Sequence, residues 1–89
     1  MPQAIGDPDE LDAFANGLSQ YLDTLETETS NLCGEFNALG DSWQDQKRAA
    51  FEEQFNTLMT QIEQFKNSCD EQIPYLHNLA ERLREYLNS

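Results

Sequence analysis

Leucine recurs every seventh residue through the first half of the chain, at Leu11, Leu18, Leu25, Leu32 and Leu39. With these at heptad position a, position d holds Phe14, Tyr21, Glu28 and Glu35, and position e holds Ala15, Leu22, Thr29 and Phe36. Apolar residues spaced by three and four share one side of a helix of 3.6 residues per turn, so the pattern predicts an amphipathic helix. Its start is marked by Asp7-Pro8-Asp9-Glu10: an N-cap acid, a proline at the first helical position and a glutamate at the third. Gly40 ends it, as a residue suited to left-handed backbone just past a helix.

A second helix announces itself at once. Ser42 with Asp45 three residues later reads as a capping pair, so the helix is expected to begin at Trp43. Two apolar columns follow at heptad spacing. One is Phe51, Leu58, Phe65, Gln72, Leu79 and Tyr86; the other is Phe55, Ile62, Cys69, Leu76 and Leu83. Both keep phase across Pro74, which predicts one long helix kinked there, with a break into two helices as the alternative. The expected fold is all-α. Residues 1–89 make a single helical-hairpin domain, with a helix over 8–39, a turn at 40–42 and an antiparallel helix over 43–87. The second arm should overhang the first by several turns.

This geometry places Trp43 at the closed end, leaning over Leu39 and Phe36, with Ala49 and Ala50 leaving room for close helix approach. The ring is either an end plug or a partly exposed element that a partner reads. The same geometry sets Cys33 and Cys69 roughly 27 Å apart along the axis, beyond the ~7 Å that a disulfide spans between Cα atoms. Cys69 sits in a core column as a small buried hydrophobe, and Cys33 at the stripe's edge is expected as a surface thiol.

A lone hairpin buries one seam. The stripe formed by Leu11, Leu18, Leu25, Leu32, Phe51, Phe55, Leu58, Ile62, Phe65, Leu76 and Leu83 is wider than one neighbour covers. Dimerisation into a four-helix bundle would cover it, as a homodimer or as a heterodimer with a related, basic hairpin. Charge bears on that choice. The chain holds 17 Asp+Glu against 5 Lys+Arg, a net charge of −12, and residues 1–46 contain ten acids and no Lys or Arg. Closely paired first helices would therefore repel unless their acids face water. The same balance disfavours nucleic acid and anionic membranes. No apolar run approaches the ~20 residues of a membrane span, and MPQAIGDPDE lacks the features of a secretory signal.

The size, the two long helices, the short turn and Trp43 within it, followed by Ala49-Ala50-Phe51, resemble the WXG family of helical hairpins associated with type VII secretion. The resemblance covers nearly the whole chain. It implies a homo- or heterodimeric bundle handled by an FtsK/SpoIIIE-type ATPase, and a bacterial cytoplasmic protein exported without a signal peptide. Trp43, Gly40 and Asp45 are then the candidate partner contacts. Two departures stand out. The family's Trp-x-Gly is here Trp43-Gln44-Asp45, and its Tyr-x-x-x-Asp/Glu signal is not met, since Tyr75 is followed four residues later by Leu79.

Chemistry is otherwise sparse. Pro74, not glutamate, lies three residues before the only histidine, His77, so no Glu-x-x-His metal pair exists. There is no zinc-spaced Cys/His cluster and no phosphate-cradling glycine loop. Neither catalytic residues nor a cofactor are expected: the chain is a non-enzyme. The leading reading is a dimerising interaction module serving as substrate, adaptor or chaperone-like partner of a type VII-like system. The alternative is a coiled-coil scaffold, or an acidic partner of a basic protein, unrelated to secretion.

Overall fold

The computed structural model describes residues 6–88. Two helices make up the fold, α1 (Pro8–Leu39) and α2 (Gln46–Asn88), packed against each other as an antiparallel hairpin. The molecule is a rod of 66 × 18 × 17 Å with a radius of gyration of 20.1 Å. A compact domain of this length would have a radius of only ~12 Å. Elongation leaves each helix a single neighbour.

Local chemistry sets the helix ends. The Asp7 carboxylate accepts the backbone N–H of Asp9 at 2.9 Å, and Pro8 occupies a position where no N–H is needed. At the other end of α1, three-residue bonds tighten the last turn. The N–H groups of Gly40, Asp41 and Ser42 reach the carbonyls of Asn37, Ala38 and Leu39 at 3.0, 3.2 and 3.0 Å. Gly40 itself is right-handed, with φ −60° and ψ −22°. It is not there for left-handed backbone, as its position past the helix suggested. A Cβ on it would run into the Arg48 guanidinium, with Cζ at 2.9 Å. That guanidinium is the flexible end of a long side chain, and it would have to shift to admit one.

The second helix starts at Gln46, three residues later than the expected Trp43, because the cap is Asp45 and not Ser42. The Asp45 carboxylate accepts the N–H of Arg48 at 3.1 Å. The link is thus residues 40–45 rather than 40–42. From there α2 runs unbroken through Pro74. That proline is exposed, on the side where a carbonyl lacking its amide partner can turn to water.

Position e of α1 is turned to the seam: Ala15, Leu22 and Phe36 are buried, against Phe55 and Ala80 of α2. The two alanines, with no exposed surface, let the backbones approach. Ala49 and Ala50, expected in that role, are exposed. Phe36 is the densest point, stacked on Phe55 with ring centroids 4.7 Å apart and tilted against Phe51 at 5.8 Å. Cys33 is also a seam residue, not a surface thiol, its Sγ lying 3.6 Å from Met59 Sδ. Cys69 is half-buried, and both cysteines are free.

Cross-helix partners pair Phe36 with Phe55, Cys33 with Met59, Glu26 with Lys66 and Asp12 with His77. This register spreads the extra length of α2 over both ends. Arg84 still reaches Asp9, so only about one turn of α2 passes the start of α1. At the closed end, α2 projects below Leu39 by a little more than a turn, and the link climbs back along it.

Replacing Phe36 with alanine should lower stability by ~3–5 kcal/mol, since a buried ring with two aromatic neighbours leaves a cavity two helices cannot close. Urea denaturation followed by circular dichroism checks this. In the same assay Asp45→Ala should cost ~1 kcal/mol and Asp45→Gly a few tenths.

Candidate partner-binding face and turn

The ring of Trp43 is half-buried. Its aromatic partner is Phe51, at 6.0 Å between centroids. The group lying over Phe36 is not this indole but the Arg48 guanidinium, 4.8 Å above the ring. Arg48 also donates to the Trp43 carbonyl at 3.5 Å. Trp43 therefore covers the stretch of α2 that α1 does not reach. Its backbone N–H is fixed to the Leu39 carbonyl at 2.7 Å, and the next side chain, Gln44, donates to the Gly40 carbonyl at 2.8 Å. Of the three residues expected to meet a partner, Gly40 leaves room for Arg48 and Asp45 caps α2. Trp43 alone offers a side chain that is not fully used inside the hairpin.

Arg48 was missed from the sequence, although a signal existed: it lies seven residues before Phe55, in the same column as Ile62 and Leu83. A cation at a core position is stabilised there by the aromatic face and by Glu52 at 3.9 Å.

The candidate stripe divides in two. Phe55 is buried, and Ile62, Leu76 and Leu83 are half-buried on the seam, with Leu11, Leu18 and Leu25 along its edge. Leu32, Phe51, Leu58 and Phe65 are exposed, together with Phe14, Tyr21 and Leu39. These exposed residues belong to columns a and d of α1 and the Phe51 column of α2, so they form one side of the rod. Tyr21 and Phe65 meet edge-to-face across the helices at 6.4 Å near its middle. Toward the closed end the face dips into an apolar groove of about 610 Å³ between Leu32, Leu39, Phe51 and Leu58, floored by Phe36 and Phe55, with Glu35 at its rim. Toward the open end a second groove of about 480 Å³ lies between Leu11, Leu79 and Tyr86, beside Arg82.

An ionic clamp ties the open end. Asp12 accepts from Arg84 Nη2 at 2.5 Å and lies 2.6 Å from His77 Nδ1, while Arg84 also reaches Asp9 at 2.8 Å. The hydrogen bond to His77, and then that from Arg84, hold the Asp12 carboxyl below the usual carboxylate range. Midway, Glu26 at 3.4 Å raises the Lys66 ammonium above its ordinary value. Sequence spacing could not announce this clamp, because its members are paired only by the register. Among the described residues, no group of three His, Cys, Asp or Glu side chains comes together to hold a metal. No helix among them is long and apolar enough to cross a membrane.

These features define a class: a small helical hairpin with a tryptophan in its turn and a long apolar side left open. The chain belongs to the WXG100 family, proteins of 100 residues with WXG, whose family model matches residues 5–86. It is therefore a helical protein associated with type VII secretion, and not an enzyme. Two solved structures of the secreted protein EsxB from Bacillus anthracis strain Sterne, each a single-substitution variant, share the fold. One superposes with a TM-score of 0.78 at 20% identity over 96% of this chain and 98% of that one. The other gives 0.76 at 21% identity over 100% and 98%. No curated protein matches the chain. Two residues after the tryptophan this chain has Asp45, the residue whose carboxylate caps α2.

Asp12 titrates lower in the hairpin than in the unfolded chain, so the stability it lends is fully present above pH 3.8 and is lost as pH falls through the lower, folded value. Asp12→Asn should therefore melt below the parent protein at pH 6, with the gap shrinking as pH drops under 3.8. Thermal melts at a series of pH values measure the gap.

Proposed function

We propose that this hairpin is an interaction module that dimerises through its open apolar face into a four-helix bundle and serves a type VII-like secretion system as substrate, adaptor or chaperone-like partner. One observation carries the reading: exposed apolar side chains run the length of a single face, from Phe14 and Tyr86 at one end to Leu39 and Phe51 at the other. A contiguous apolar side of that extent marks a protein-binding surface. Family membership supports a hairpin as the partner and secretion as the context. Export without a signal peptide, and handling by an FtsK/SpoIIIE-type ATPase, belong to the same reading. The turn, where Trp43 keeps part of its ring in solvent, is the element that such an ATPase would read.

The scaffold alternative draws on the acidic balance, −12 overall, and would place a basic protein against the acids of α1. It requires a complex that weakens steeply with salt; an apolar seam tolerates salt.

Trp43→Ala separates recognition from structure. The half-buried ring rests on Phe51, so its loss should cost less than the ~3–5 kcal/mol of a fully buried aromatic. The variant should stay helical and paired. Capture by the purified ATPase, measured by surface plasmon resonance, should fall at least about tenfold. Unchanged capture together with a large loss of stability would reduce Trp43 to an end plug.

A further inference from the structure

The backbone of Trp43 is fastened to both helices. Its N–H is bonded to the Leu39 carbonyl at 2.7 Å, at the end of α1. Its carbonyl is reached from α2 by Arg48 Nη1 at 3.5 Å. The first bond joins backbone to backbone and makes no demand on side chains. The second depends on where one guanidinium lies.

Shape holds that guanidinium more than charge does. Its Cζ stands 4.8 Å from the centre of the Phe36 ring. A Cβ added to Gly40 would lie 2.9 Å from Cζ and 3.0 Å from Nη2, so the group fills the space beside the glycine. Glu52 Oε1 is 3.9 Å from Nε, too far for a hydrogen bond, and that Nε is buried with no acceptor. The flat cation therefore occupies a slot lined by an aromatic face and by a residue with no side chain. Lysine, with a compact ammonium on a flexible stem, would not fill it.

The backbone at position 40 gives no reason for glycine. Its φ of −60° and ψ of −22° are open to any residue. Alanine there would by chain entropy alone stabilise the fold. What alanine would disturb is the guanidinium, and through it the Trp43 carbonyl. Gly40, Arg48 and Trp43 are thus coupled in series.

We propose that Arg48 is a positioning residue: seated beside Gly40, its guanidinium fixes the α2 side of the Trp43 backbone and so aims the indole at the partner that reads the turn. This rests on the recognition reading of Trp43 above and assigns the residue that presents the ring. Arg48 itself need not touch the partner.

The test uses the full chain, whose single tryptophan is its own reporter. In time-resolved fluorescence anisotropy, Trp43 of the parent should tumble with the rod. Arg48→Met should add a nanosecond component while circular dichroism shows the helicity kept. Arg48→Lys should behave like Arg48→Met, and so should Gly40→Ala, which keeps the arginine. Capture by the purified ATPase, measured by surface plasmon resonance, should fall about fivefold in each, as a loosened contact binds less well than a fixed one. The double variant Gly40→Ala/Arg48→Met should be no weaker than either single one, because both break the same link. Glu52→Gln should change neither readout.

An indole that stays rigid in Arg48→Met overturns the proposal. So does rigidity restored by Arg48→Lys, or losses that multiply in the double variant. Should Arg48→Met lose helicity, Gly40→Ala decides. Loosening without loss of capture, where Trp43→Ala does lose it, overturns the proposal alone. If Trp43→Ala leaves capture intact, the recognition reading falls and the aiming role falls with it.

Discussion

Two helices in contact can shield only one arc of each other. Here the arc on α1 is centred on position e and the arc on α2 on the Phe55 column, and each helix carries an apolar stripe wider than its arc. Ala15, Leu22, Phe36, Phe55 and Ala80 close the seam, while Phe14, Tyr21, Leu32, Phe51, Leu58 and Phe65 fall outside it. The division follows from the roundness of the helix, so no rearrangement of one hairpin could bury both sets. The open face is therefore a property of the architecture, and it is the surface that the proposed pairing would cover.

The closed end shows a different economy of parts. Below Leu39 a turn of α2 is left without α1 beside it, and there Trp43 lies against Phe51 while Arg48 lies over Phe36. Each residue of the link has a separate duty. Gly40 leaves volume for a guanidinium, Gln44 satisfies a carbonyl, and Asp45 caps a helix. The tryptophan is thereby held at a fixed place on the rod's tip with part of its ring in water.

Much of the fold was legible because heptads and caps are local. The leucine column and the Asp7-Pro8 start point to α1, and the two columns in phase across Pro74 point to a single α2. What escaped was what depends on register. Ser42 and Asp45 both look like caps, and only the path of the link decides between them. Trp43 was expected over Phe36, but a cation seven residues before Phe55 reaches that ring instead. Cys33, at the margin of the stripe, falls on the seam because the packed arc is centred beyond column a. The Asp12, His77 and Arg84 cluster joins residues more than sixty positions apart, and no spacing rule links them. The candidate stripe divides into seam and open face, and that split required knowing which way each helix is rotated.

The clamp at the open end has a mechanical side. Asp9 and Asp12 near the start of α1 grip His77 and Arg84 near the end of α2, so the first and last helical turns lie side by side at one pole. A force drawing α2 away by its end would meet the seam one turn at a time, opening it like a zip, and would never shear all the contacts together. Peeling of that kind needs little force at any instant beyond the first step, where the ion pairs resist.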